Sequence, residues 1–274
     1  VSSPAPFQVI NPAPQIATLT PNTVFYAAAD TTVTINGSAF VPTSVAKLGT
    51  SSLTTAFVSS TQLTAVVPAS ALKSITTLSV TVFTPAPGGG TSSAAQLFIT
   101  CDSTNVDVPL GAVSNITTRN VFYSGPDVNH VAAAACPQTA LSGFVEPIAQ
   151  WVVQNNSTSP VVLSSWAVCS MTSTTQSDAF LAVYRGGTKP VDDASRMMCA
   201  AGTVGSEGAL GSSGNYSSPD ANGSNWCPGL TKANGAGLTL AACEKAVVTM
   251  QPFSVASGTS YPAPTQIRFE PESP

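Results

Sequence analysis

Apolar residues recur at every second position through most of the first hundred residues. "TVTINGSAF" places Val33 and Ile35 on one face, and "TQLTAVVP" does the same with Leu63, Ala65 and Val67. "LSVTVF" offers Leu78, Val80 and Val82, and "AQLFI" offers Leu97 and Ile99. A period of two marks strands with one buried face. Prolines at 21, 42, 68 and 85 punctuate the runs. About seven short strands with turn signals every 8–12 residues predict an immunoglobulin-like sandwich. In "PAPGGGTSSAAQLFI", Gly88, Gly89 and Gly90 supply the positive φ of a tight connection between the last two strands. A phosphate-cradling loop would need a following helix and a Lys, and neither is there.

After residue 100 the strand signals continue in "AQWVVQ", "PVVLSSWAV", "AFLAVYRG" and "TQIRFEP". Trp151 with Val153, and Trp166 with Val168, keep period two. "LTLAACEKAVVTM" fits a strand or a short helix, since an apolar run of this length does not separate them. The chain therefore predicts an all-β protein: a strand or linker over 1–12, an Ig-like β-sandwich over 13–100, and a disulfide-stapled β-sandwich over 101–274.

Composition adds the environment. Only 8% of the 274 residues are charged while 43% are hydrophobic, against about 25% charged in ordinary proteins. Core material is ample, so the low charge does not signal disorder. The surface falls to Ser, Thr, Asn and Gln. The net charge is −4; with no basic stripe, the footprint of a nucleic-acid binder is missing. No apolar run reaches the roughly 18 residues of a membrane-spanning helix, so no membrane insertion is expected. The chain starts with Val and shows no signal peptide, which reads as a mature, processed protein or a fragment of one. With 13 carboxylates and one histidine, stability should depend weakly on pH.

The six cysteines, Cys101, Cys136, Cys169, Cys199, Cys227 and Cys243, all follow residue 100. They form no C-x-x-C pair, and the lone His130 cannot complete a Cys/His zinc site. An even number in so Ser/Thr-rich a chain predicts three disulfides and an extracellular setting. Cys199 with Cys227 is the first pairing expected, because it staples a loop with almost no core residues of its own.

"PAPQIATLTPNTV", "TVTINGSAFVPTSVAKLG", "SSTQLTAVVPASAL" and "VTVFTPAPGGGTSSAAQLFI" together resemble an IPT/TIG domain over about residues 13–100. The resemblance implies an Ig-like sandwich of the kind found in tandem on bacterial surface proteins, as spacer, adhesive unit or accessory module of a secreted enzyme. It transfers no catalytic residues. "SDAFLAVYRGGTKP" resembles, over one strand pair, the prepeptidase C-terminal β-sandwich of secreted bacterial proteins.

Candidate chemistry is sparse. His130 has Asp127 three residues before it, but no G-x-S-x-G elbow supplies a nucleophile. Asp192 and Asp193 are neighbours, which on a strand point to opposite faces. Glu146, Asp178, Glu207 and Glu244 offer carboxylates that no spacing brings together. "DANGSNW" (220–226) starts like a calcium loop, yet Asn225 stands where the Gly belongs and Thr231 where the bidentate Glu belongs; it reads as an Asx-rich turn. N-x-[ST] sequons occur at Asn36, Asn115, Asn155, Asn156, Asn215 and Asn222. At Asn36 a Gly-Ser turn accounts for the motif. No metal and no cofactor is expected.

The opening "VSSPAPFQV" echoes "TSSAAQLFI", with Phe7 opposite Leu97 and Val9 opposite Ile99. Residues 1–12 thus read as the closing strand of a domain not present in this chain: the trimmed end of a longer tandem protein, a strand folded back on its own domain, or a strand paired with a neighbouring subunit. The last is the expectation pursued, with residues 5–10 as the strand, carried away from the domain by the prolines that follow. The expectation is a non-enzymatic, secreted structural or adhesive surface protein, a filament subunit built by N-terminal strand donation as a homo-polymer. The alternative is a carbohydrate- or surface-binding module of a larger secreted enzyme or adhesin. That alternative needs an exposed aromatic platform. Trp226, in a loop, is a better candidate for it than Trp151 or Trp166.

Overall fold

The computed structural model describes residues 8–111, 116–121, 127–130, 141–168, 179–189, 200–204, 229–230, 237–252 and 266–274. The chain divides into two compact units, Val1–Asp102 and Ser103–Pro274. Among the described residues the only helical turn is a 3-10 turn, Ala69–Ala71.

The first unit comprises β1 (Gln15–Thr20), β2 (Thr23–Phe25), β3 (Thr31–Ser38), β4 (Val45–Leu48), β5 (Ser51–Ser52), β6 (Thr54–Ser59), β7 (Gln62–Val67), β8 (Thr76–Thr84), β9 (Gly90–Thr91) and β10 (Ala95–Thr100). One sheet has the order β1-β3-β7-β6 and the other β2-β10-β8-β4-β5, with β9 pairing β8. Between them lies a core of the alternating residues: Val33, Ile35, Leu63, Ala65, Val67, Val80, Val82, Leu97 and Ile99 are all buried. Phe40 and Leu72 join them.

Two glycine sites repay inspection. Gly88, Gly89 and Gly90 have φ of 74°, 70° and 115°, as the turn between β8 and β9 requires. Gly37 is not in a turn. It lies in β3 beside Ile16 of β1, and a Cβ there would stand 1.9 Å from the Gln15 carbonyl oxygen and 2.7 Å from the Phe40 ring. "INGS" therefore continues the strand, and the glycine is demanded by the close passage of β1. The chain turns only at Ala39, with φ 63°.

The second unit comprises β11 (Val108–Leu110), β12 (Thr117–Asn120), β13 (Asp127–His130), β14 (Leu141–Pro147), β15 (Ala149–Asn155), β16 (Val161–Val168), β17 (Ala179–Arg185), β18 (Ala201–Val204), β19 (Gly229–Leu230), β20 (Leu238–Leu240), β21 (Lys245–Pro252) and β22 (Gln266–Glu272). One sheet runs β11-β15-β21-β17-β18; the second runs β12-β22-β16-β19, with β20 also on β16; β13 and β14 form a separate pair. The two larger sheets enclose Trp151, Val153, Leu163, Leu181, Val183, Leu230, Leu240, Val248, Met250, Ile267 and Phe269. The rings of Trp151 and Phe269 meet edge-on, 5.9 Å apart at 64°. "LTLAACEKAVVTM" resolves into β20, a turn over 241–244 and β21. The break falls where Cys243 takes φ 60°, which neither a helix nor a continuous strand admits.

The first sheet of this unit is buried on both faces. Val152, Gln154, Ala182, Tyr184, Val247 and Thr249 point away from the core just named, yet all are buried. A sheet covered on both sides loses its alternation and reads as a continuous apolar run, which is why "KAVVTM" is ambiguous by periodicity.

Cys101 and Cys243 form a disulfide with each other. Cys136, Cys169, Cys199 and Cys227 lie outside the described residues, and the expected Cys199–Cys227 pairing lies there with them.

Candidate functional site

Among the described residues, an exposed pair of aromatic side chains lies on the first unit. β2 pairs with β10 in parallel, with Phe98 beside Thr23 and Phe25 beside Thr100. Val24 and Ile99 turn into the core, so Phe25 and Phe98 share the opposite face. Strand rise and spacing put them about 8 Å apart as diagonal neighbours. Phe25 is 51% exposed and Phe98 42%. Across β10 and β8 the same face carries Gln96 beside Ser79 and Phe98 beside Thr77. Further along, the Lys47 ammonium sits over the Phe83 ring, 4.4 Å from its centre. The face is thus aromatic, hydroxyl-rich and almost without charge. In the sequence its signal is the out-of-phase residue: in "AQLFI" the outward position is Phe98 where Ser or Thr is usual in this chain.

The tryptophans fare differently. Trp151 is 7% exposed and belongs to the core. Trp166 lies on β16, with its backbone paired to Arg268 and Gly229. Trp226 lies outside the described residues.

The second unit holds a cleft of about 340 Å³ lined by Asn105, Asp107, Val152, Gly187 and Lys189. One oxygen of Asp107 accepts from the Val152 amide (2.8 Å) and pairs with Lys189 (2.9 Å). Around it, Lys245 donates to the Thr104 carbonyl, and Arg119 donates to the Asp107 carbonyl. Arg185 pairs with Glu244 at 2.6 Å. Each cation here already has a protein partner. The ion pairs are largely exposed, where such pairs stabilise by only about 0–1 kcal/mol. The cluster fastens the chain that enters the unit.

Of the carboxylates considered from the sequence, only some lie within the described residues. Asp127 and His130 lie on β13, paired with Pro147 and Leu141, and Glu146 lies opposite Val128. Asp178, Asp192, Asp193, Glu207 and the 220–226 stretch lie outside the described residues. Glu244 closes the 241–244 turn, accepting from the Ala241 amide while it pairs with Arg185. Glu270 and Glu272, which no sequence pattern singles out, share the outward face of β22. Glu272 accepts from the Ser164 hydroxyl. Burial, then the charge of Glu272, hold the Glu270 carboxyl above its ordinary range. Among the described residues no three His, Cys, Asp or Glu gather as metal ligands, and no helix is long and apolar enough to cross a membrane.

The raised Glu270 pKa has a sign. The folded state holds this proton more tightly than the unfolded state, so the group adds stability below its unfolded pKa and loses it as pH rises through the folded value. Denaturation midpoints of the second unit should therefore rise slightly from pH 7 to pH 5. Glu270→Gln should raise the midpoint at pH 7 and flatten that slope; a midpoint falling steadily over this range contradicts the assignment.

Two of the sequons turn out to be structural. Asn36 donates to Thr18 and accepts from Gln62. Asn155 is fully buried, and its amide nitrogen donates to three carbonyls, so a glycan there is incompatible with the fold.

The predicted assembly strand is placed only in part. Phe7 lies outside the described residues. Val9 is 74% exposed and Ile10 62%, and neither lies in a strand. The chain does not simply leave the domain through its prolines: Asn11 bridges in parallel to Gly88.

A two-sheet β-sandwich with this strand order defines an immunoglobulin-like fold. Residues 14–99 match the IPT/TIG domain family, and the first unit is an IPT/TIG domain. No curated protein matches the chain. A solved structure described as a crystal structure with xylogluco-oligosaccharide is similar at 12% identity and a TM-score of 0.26. The match takes in 95% of this chain, which spans 57% of the other.

Proposed function

We propose that the protein is a non-catalytic, secreted adhesive module that holds neutral polysaccharide on the outer face of its IPT/TIG domain. The observation that carries this reading is the exposed pair Phe25 and Phe98 on one sheet face. Aromatic faces are electron-rich and attract the polarised C–H groups of a sugar ring, while Thr23, Gln96, Thr77 and Ser79 offer hydrogen bonds to its hydroxyls. Lys47 is the one charged side chain among the residues named on this face, so the face has little with which to select an anionic polymer. The Cys101–Cys243 disulfide supports an oxidising, extracellular setting.

Affinity electrophoresis in gels containing hydroxyethyl cellulose, mannan or polygalacturonate tests the proposal. The full chain should be retarded by a neutral polymer, with little response to salt. The double variant Phe25→Ala/Phe98→Ala should run as in a blank gel, about tenfold weaker or more. No retention by any neutral polymer, or undiminished retention of the double variant, rejects the reading.

The exposure of Val9 and Ile10 favours a second reading, in which residues 5–10 are donated as a strand to another copy and the protein builds a filament. Deleting residues 1–10 should then leave both units folded and abolish assembly. A full chain that stays monomeric at high concentration rejects it.

A further inference from the structure

We propose that the loop over residues 85–90 is a clamp that grips the chain at Asn11 and fixes the direction in which the preceding residues leave the IPT/TIG domain. The inference is independent of the polysaccharide reading.

Three hydrogen bonds make the grip. The Asn11 amide donates to the Pro87 carbonyl at 2.7 Å, and Gly89 donates back to the Asn11 carbonyl at 2.7 Å. The Asn11 side chain donates to the Pro85 carbonyl at 2.8 Å. The first two form one rung of a parallel ladder, so the loop treats Asn11 as a strand residue. Both acceptor carbonyls in this loop belong to prolines, whose fixed φ holds them in place. On the other side, Pro12 restricts Asn11 to the extended backbone that a ladder needs.

The glycines serve the same grip. A Cβ on Gly88 would lie 2.5 Å from the Asn11 carbonyl oxygen and 2.9 Å from the Ile10 Cβ. Gly89 faces the other way, and its Cβ would strike the Thr84 carbonyl at 2.3 Å. Three glycines in a row thus do more than turn the chain between two strands. Gly88 clears the seat for Asn11, and Gly89 directs its amide at the Asn11 carbonyl. Immediately outside the grip, Val9 and Ile10 stand exposed. The clamp therefore presents two apolar side chains at a fixed point of the domain surface, where a free tether would sample many directions.

Amide hydrogen exchange by NMR on the full chain tests this. The Asn11 and Gly89 amides should be protected well above those of Gln8, Val9 and Ile10. Gly88→Ala should reduce the protection of both by about tenfold or more, while the amides of β3 and β7 stay slow. If Gly88→Ala fails to fold, Asn11→Pro removes the donor to Pro87 without adding an atom to the loop, and Gly89 should then exchange faster. Asn11 and Gly89 amides that exchange as freely as Gln8 in the wild type, or that are unchanged in both variants, overturn the clamp.

Discussion

Asn155→Asp should destabilise the second unit by about 3–5 kcal/mol, although the exchange replaces one NH₂ by one oxygen. Asn155 ends β15 with no exposure to solvent. Its Nδ2 donates to the carbonyls of Ser159 (2.9 Å), Leu240 (3.1 Å) and Ala241 (3.0 Å), and its Oδ1 accepts from the amide and hydroxyl of Ser157. Its backbone is equally engaged: the amide donates to Glu244 and the carbonyl accepts from Cys243. One side chain thus joins the end of β15, the 157–159 turn and the 240–244 turn. An aspartate would aim a buried anion at three carbonyl oxygens, with no donor to offer them. Asn155→Ala should cost less, because it removes the donor without adding a charge. Asn156→Ala is the control, since the Asn156 side-chain oxygen has no partner; it should stay within about 1 kcal/mol. Urea titration followed by tryptophan fluorescence reads this unit alone, because all three tryptophans follow residue 100. Equal losses at 155 and 156 would refute the account.

Loss of the Cys101–Cys243 disulfide should be about as damaging. The bond closes a loop that takes in more than half of the chain. Constraint of the unfolded ensemble grows slowly with loop length and reaches about 4–5 kcal/mol for loops of this size. The bond also pins Cys243 in its positive-φ turn, where the Cys243 amide is held by Asn155. Cys101→Ser/Cys243→Ser should therefore lower the thermal midpoint of the tryptophan-reported transition by about 10–20 °C. A midpoint close to that of the parent would show that the bond constrains little. The Asn155 and disulfide effects should not add, because Cys243 donates directly to Asn155.

The first unit is legible in the sequence because its strands bury one face each. Val33, Ile35, Leu63 and Val82 announce themselves by alternation, and all are buried. Alternation carries no information about a close crossing, so Gly37 reads as a turn residue when it is a strand residue beside Ile16. It fails equally where both faces are covered, which is why β21 reads as an ambiguous run. The aromatic face is hidden for a related reason. Trp draws attention as the larger ring, whereas Phe98 looks like one more apolar residue of a strand whose inward positions are Leu97 and Ile99. Asn155 reads as a glycosylation acceptor because a sequon is a local pattern, while its side-chain hydrogen bonds include a partner 85 residues away. Asn11 is equally hidden: "NPAP" predicts extended backbone, and only the folded loop at 85–90 shows what that extension serves.

The parallel pairing of β2 with β10 has a mechanical consequence. β2 lies near the start of the IPT/TIG domain and β10 is its last strand, and the two run side by side in the same direction. Tension along the chain pulls β2 toward its beginning and β10 toward its end, so the two are loaded in shear. The bonds from Phe98 to Asn22 and from Tyr26 to Thr100 then share the load with the ladder between them, where an antiparallel pair pulled at its open end would unzip rung by rung. Pulled from its two ends, a pair joined this way should resist separation until several of these bonds give way together.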